Sequence, residues 1–135
     1  MIKVIYGSKG TGKTKQMIDI ANATVEQAKG HIIFVTDTKR GMYDLEREVR
    51  FIDVTDYDIA GDAALCGFVK GVIAGNNDNE YIFIDGVMRI AGKPVCEMAG
   101  FFYMLEKVAD EKGLTVYVSI SAAKDELPDF VRKHV

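Results

Sequence analysis

The 135-residue sequence predicts an α/β fold of three layers: a mainly parallel five-stranded sheet with helices on both faces. Short apolar runs alternate with helix-periodic segments along the whole chain, and each parallel return between strands needs a crossover connection. Runs such as "IFVT" and "YIFI" are apolar at every position rather than at every second one, as strands buried on two sides are. Glycines close several helical patterns.

Taken in order, "IKVIY" (2–6) is the first strand, and residues 12–29 a helix with Met17, Ala21, Val25 and Ala28 near one face and Gly30 as its stop. "HIIFVT" (31–36) is the second strand. Residues 41–49 are expected as a short helix and "RFIDVT" (50–55) as a third strand. Leu65, Phe68, Val69, Val72 and Ile73 follow i, i+3, i+4, i+7, i+8 spacing, which makes a helix ending near Gly75. After the polar turn "GNNDN" (75–79), "YIFID" (81–85) is the fourth strand. Met98, Phe101, Phe102, Leu105, Val108 and Ala109 then form one helical stripe closed by Gly113. "LTVYVSIS" (114–121) is the fifth strand, and "DELPDFVRKHV" a last helix with Pro128 in its first turn.

Size and composition, 48% hydrophobic and 27% charged, suit one domain spanning 1–135. A net charge of −3 gives no general attraction to nucleic acid. No apolar run approaches a membrane span and no signal-peptide pattern opens the chain, so a cytoplasmic protein without a membrane partner is expected. Cys66 and Cys96 lack the close pairing of zinc or redox motifs and read as reduced core thiols. His31 and His134 stand apart from any cluster of ligand-type residues.

The strongest chemical signal is "GSKGTGKT", Gly7, Ser8, Lys9, Gly10, Thr11, Gly12, Lys13 and Thr14, between the first strand and the first helix. It satisfies G-x-x-x-x-G-K-[ST]. Glycines at 7, 10 and 12 let successive backbone N–H groups turn toward an anion, the helix start adds its unpaired donors, Lys13 reaches β and γ phosphates, and the Thr14 hydroxyl ligates Mg2+. The competing reading is a glycine-rich surface turn. Chance yields this pattern in roughly one chain of this length in a few hundred, and fewer still with a strand before and a helix after it.

Here the chain resembles the P-loop NTPases, and Gly7 to Thr14 their Walker A motif. Such proteins hold magnesium with an acidic residue at the end of another strand, and Asp85 after "YIFI" has that pattern, called Walker B. Two alternatives stay open: Asp-Gly between apolar residues is also the signature of a β-hairpin, and Asp53 in "FIDVTD" is a second acidic strand end. Asp53, Asp56 and Asp58 together read as a solvated loop rather than a metal cluster. The position after Asp85, often Glu in these families, is Gly86. Asp37 in "VTDTKR" is a candidate substitute for the catalytic carboxylate, or else a turn or capping residue. Arg89 could lean on the γ-phosphate or reach a neighbouring subunit's site. Ser119 and Ser121, ending the fifth strand, could sense the γ-phosphate or merely finish the strand.

The layout to about residue 122 is similar to the RecA-like and thymidine-kinase-like branch: "DTKR" resembles the Asp-x-Arg region of bacterial-type thymidine kinases, and "FIDG…LTVYVS" their Walker B strand and the next one. The Glu and the zinc-bound lasso of those kinases have no counterpart here. "DGVMRI" is similar to the Gly-Glu-Met-Arg-Asp signature of twitching-motility and secretion ATPases, without its Glu and final Asp. The resemblance implies Mg2+ and ATP as ligands, slow hydrolysis aided by a protein partner or homo-oligomer, and Lys13, Asp85 and Asp37 as the catalytic set. Two other functions fit the same residues: a small-molecule kinase with a reduced lid, and a switch in which a bound nucleotide moves loops 37–43 and 86–95.

Overall fold

In the computed structural model, which describes residues 1–135, five strands form a single all-parallel sheet. They are β1 (Ile2–Gly7), β2 (His31–Thr36), β3 (Val49–Asp53), β4 (Asn79–Ile84) and β5 (Thr115–Ser121), in the spatial order β1-β5-β4-β2-β3. The helices are α1 (Lys13–Thr24), α2 (Asp62–Ala74), α3 (Val87–Ala91), α4 (Ala99–Lys112) and α5 (Asp129–Arg132). The three-layer α/β class expected from the alternation is the one observed.

Side chains alternate across each strand, and both faces are covered. On one face α1 packs Met17, Ile18 and Ala21 with Ile32, Phe34, Val49 and Phe83. On the other, Leu65, Val69, Phe101, Phe102 and Leu105 of α2 and α4 cover Ile33, Val35, Ile82, Ile84, Val116, Val118 and Ile120. Neighbours in sequence thus enter opposite cores, which is why β2 and β4 read as unbroken apolar runs.

A row of rings crosses the α1 face in strand register: Phe51, Phe34, Phe83 and Tyr117, with successive centroids 6.4, 6.0 and 4.7 Å apart. Lys3, paired with Tyr117 in register, extends the row by placing Nζ 5.5 Å from that ring's centre. Two residues further along each strand, on the same face, come Ser119, Asp85, Thr36 and Asp53. Ile5 pairs with Ser119 and Thr36 with Asp53, and continuing the β4 pairings by one residue sets Asp85 between Ser119 and Thr36. The period of two therefore lifts a polar row about 7 Å above an aromatic one, at the carboxyl ends of the strands.

Several boundaries differ from expectation. The first helix stops at Thr24 instead of reaching 29, because the Thr24 hydroxyl donates to Ala21 O and the next N–H groups fold back onto Thr24 O in a turn. Of residues 41–49, Met42–Asp44 form a 3₁₀ turn and Val49 already opens β3; Asn22 of α1 holds Asp44 O and Glu46 N, with Leu45 extended between them. The third strand ends at Asp53, whose carboxylate accepts the Thr55 N–H and starts a 3₁₀ turn. The last helix is cut to Asp129–Arg132, with Pro128 outside it as N-cap; Lys124–Glu126 is a separate 3₁₀ turn. Cys96 is exposed on a short 3₁₀ turn and Cys66 half-buried on α2, so neither is a core thiol. Burial pushes the Cys66 pKa up.

Asp85 and Gly86 make no hairpin. Gly86 takes φ +78 as the N-cap of α3, and β4 continues into that helix while pairing in parallel with β2 and β5. The segment 86–95, a moving loop in the switch reading, holds the helical turn Val87–Ala91 with Val87 and Ile90 buried in the core.

Candidate functional site

Between β1 and α1 the chain turns through two left-handed glycines, Gly10 at φ +83 and Gly12 at φ +84. A side chain would be strained at either, and Gly12 serves as N-cap of α1. No side chain caps this helix and its first turn carries no acid. The first-turn N–H groups at Lys13 and Thr14 therefore have no intrahelical acceptor.

Lys13 folds back, its ammonium donating to Ser8 O at 2.9 Å, beside the Thr11 hydroxyl, which donates to the same carbonyl at 2.7 Å. Burial lowers the pKa of Lys13; Asp85 opposes the shift and Arg89 adds to it. A partly desolvated ammonium facing a second cation favours an incoming anion.

Asp85 lies at the bottom, 2% exposed. Its Oδ2 accepts the Thr14 hydroxyl at 2.8 Å and its Oδ1 the Ser119 hydroxyl at 2.7 Å. Ser119 Oγ in turn accepts the Gly86 N–H at 3.0 Å, fixing the carboxylate and the turn after it together. The Thr36 hydroxyl, in the adjacent register position, is buried without a hydrogen-bond partner in the protein. Register could have revealed Thr36 in the sequence, since "HIIFVT" puts Phe34 and Thr36 on one face; only knowledge of which strands are neighbours was missing.

Asp37 follows β2, and β2 neighbours β4, so it lies at the same rim. It is held by Arg89 through two bonds, Nε to Oδ2 at 3.0 Å and Nη2 to Oδ1 at 2.8 Å. The hydrogen bond to Asp37 raises the pKa of Arg89 against the lowering effect of burial. A cleft of about 300 Å3 joins Lys9, Gly10, Gly12, Lys13, Thr14, Thr38, Arg40, Asp85, Arg89, Ser119 and Ser121, with no hydrophobic side chain among them. Thr38, Arg40 and Thr36 carried no assigned role in the sequence reading.

Asp53 is outside this cleft. It ends the edge strand β3, two places from β4, where Lys39 Nζ contacts its Oδ2 at 2.7 Å and Asp56 at 2.7 Å. Asp53 is thus a buried, ion-paired residue rather than part of a solvated loop. The largest cavity, about 760 Å3, is also elsewhere, at the β1 edge between Met1–Ile5 and Lys133–Val135. No helix is long and apolar enough to cross a membrane.

A left-handed glycine turn, an open helix start, a lysine and a hydroxyl–carboxylate pair can together oppose the charge of a polyanion and offer hard oxygen ligands to a cation. No family model and no curated protein matches the chain. In fold it is similar to the crystal structure of domain III from the Thermotoga maritima replication initiation protein DnaA, with 17% identity and a TM-score of 0.54, over 98% of this chain and 50% of that one. The chain spans about half the length of that structure, and the likeness, with the parallel sheet, is to a P-loop-like α/β fold.

Proposed function

We propose that the cleft binds a nucleoside triphosphate, ATP, together with Mg2+. The observation that carries this is the uncapped start of α1 behind the left-handed turn at Gly10 and Gly12, with Lys13 on the same wall. Backbone N–H groups from Gly7 to Thr14 cradle the phosphates, and Lys13 leaves Ser8 O for the β and γ oxygens. The donor set fits magnesium: Thr14 Oγ1 and Asp85 are hard oxygen ligands already in contact, and the unpartnered Thr36 hydroxyl stands one strand away from Asp85. Thr14 and Asp85 would hold the ion, which when bound neutralises phosphate charge. Ser119 orients Asp85 throughout.

Hydrolysis in the isolated chain is slow. Gly86 offers no carboxylate beside Asp85, and the nearest alternative, Asp37, is engaged by Arg89. A protein partner or a second copy supplies what is missing, and the domain 1–135 otherwise acts as a nucleotide-dependent switch. A second reading, transfer to a small acceptor, is favoured by the adjoining cleft of about 420 Å3 beside Gly86, Met88, Lys93 and Pro94.

The test is calorimetric titration with Mg-ATP. Lys13→Ala should weaken binding about ten- to a hundred-fold, the range of a charge-assisted hydrogen bond, with the fold kept because Lys13 donates only to a loop carbonyl. Equal affinity in the variant rejects the phosphate site.

A further inference from the structure

The geometry points to a latch: Asp37 holds Arg89 at the rim of the cleft until a γ-phosphate takes it, so that the pair distinguishes triphosphate from diphosphate. This rests on the phosphate-binding reading above and adds to it the residue that reads the third phosphate.

Arg89 is held where it can change partners. Its guanidinium grips Asp37 in a two-pronged fork, yet its side chain is 53% exposed and that of Asp37 only 19%. The carboxylate is the more enclosed partner, and the arginine is accessible from the cleft that it lines. It is also within electrostatic reach of the site's charges, because Arg89 bears on Lys13 and Asp85 bears on Arg89.

Gly86 makes the arrangement possible. A Cβ there would collide with Arg89 Nη2 and lie 2.8 Å from its Cζ and 3.0 Å from Asp37 Oδ1. The guanidinium thus fills the space of the missing side chain, directly after the residue assigned to the metal. A planar fork matches phosphate oxygens as well as carboxylate oxygens. A γ-phosphate brings close to two negative charges against the single charge of Asp37, so the exchange is favourable once one extends past Lys13 to the rim. A diphosphate ends one phosphate short of the rim and leaves the pair closed.

Release has a second effect. Asp37 begins the segment that carries Thr38 and Arg40, both lining the cleft, and the Arg40 N–H donates to Thr38 Oγ1 at 3.2 Å. Losing the tie to α3 frees this segment, so the third phosphate is reported as a change in the loop after β2.

The test titrates the full chain with Mg-ADP and with Mg2+ plus the non-hydrolysable analogue AMP-PNP by calorimetry. The wild type should prefer AMP-PNP by tenfold or more. Arg89→Gln should bring the ratio near one by weakening AMP-PNP. Asp37→Asn, which removes the competing carboxylate, should tighten AMP-PNP severalfold and move ADP by less than twofold. Equal affinities in the wild type, parallel losses for both ligands in Arg89→Gln, or weaker AMP-PNP in Asp37→Asn would each overturn the latch while leaving the phosphate site standing. Failure of both ligands to bind the wild type would remove the site and the latch together.

Discussion

The Thr14 hydroxyl donates to Asp85 Oδ2 at 2.8 Å, joining the first turn of α1 to the end of β4 across 71 residues of sequence. The contact links the motif that binds phosphate in our proposal to the one that binds metal. Asp85→Asn can keep a hydrogen bond from Thr14 but loses the charge a divalent ion requires. ATP binding in the presence of Mg2+ should weaken at least tenfold, while binding in EDTA should change little. Calorimetry in the two buffers is the check, and an equal loss in both would detach Asp85 from the metal.

The aromatic row beneath the site sets its floor. Phe83 is fully buried, between Phe34 and Tyr117, so Phe83→Ala should cost about 3–5 kcal/mol of folding stability. Chemical denaturation measures it. A loss below about 1 kcal/mol would mean that the α1 face repacks and that the row is not the support described.

Lys39 and Asp53 give a pH prediction. Burial alone would raise the Asp53 pKa, but bonds from the Lys39 ammonium and from the Thr55 hydroxyl and amide outweigh it and hold the carboxyl below its usual 3.8. A depressed folded-state pKa adds stability above the unfolded value and loses it as pH falls through the folded one. Asp53→Asn should therefore be less stable than wild type near neutrality, by about 1–3 kcal/mol for a buried charged hydrogen bond. The gap should begin to narrow below about pH 3.8, the unfolded value, and go on shrinking as the pH falls toward the depressed folded value. Denaturation midpoints of both chains from pH 7 to 3 test this, and a gap that stays constant in acid would contradict it.

Much of this was legible in the sequence, for local reasons. Gly7 to Thr14 announces itself because a backbone turn and a helix start need those residue types at that spacing, and the i, i+4, i+8 stripe of Leu65, Val69 and Ile73 marked α2. What was hidden depends on strand order. Nothing local says that β5 lies between β1 and β4, and only that order sets Ser119 against Asp85 and leaves Thr36 on its other side. Competing side chains misled at the boundaries: Asn22 draws the chain at Leu45 into an extended turn where propensity favours helix. The Asp-Gly ambiguity at 85–86 was likewise decided by tertiary context: the positive φ that a hairpin turn would use at Gly86 serves instead at the N-cap of α3.

Gly86 supplies the sharpest test of how the site works without a carboxylate after Asp85. Placing one there with Gly86→Glu supplies the residue that the P-loop families the sequence resembles often carry, so on sequence alone it should speed hydrolysis. The structure argues the reverse. Backbone at φ +78 disfavours any side chain by about 1–2 kcal/mol. The new Cβ would enter the space held by the Arg89 guanidinium, 2.8 Å from its Cζ. Arg89 can yield, because it is long and half exposed, so the chain should fold with a loss of about 1–2 kcal/mol. Displaced from Asp37, and drawn to the new carboxylate instead, Arg89 would no longer be free for a γ-phosphate. Turnover of ATP by Gly86→Glu should fall below the wild-type rate, and preference for AMP-PNP over ADP should shrink with it. Single-turnover assays and calorimetry on the same preparation separate the two effects. A variant that hydrolyses faster and still prefers AMP-PNP would show that Gly86 is a missing base and not a seat for Arg89.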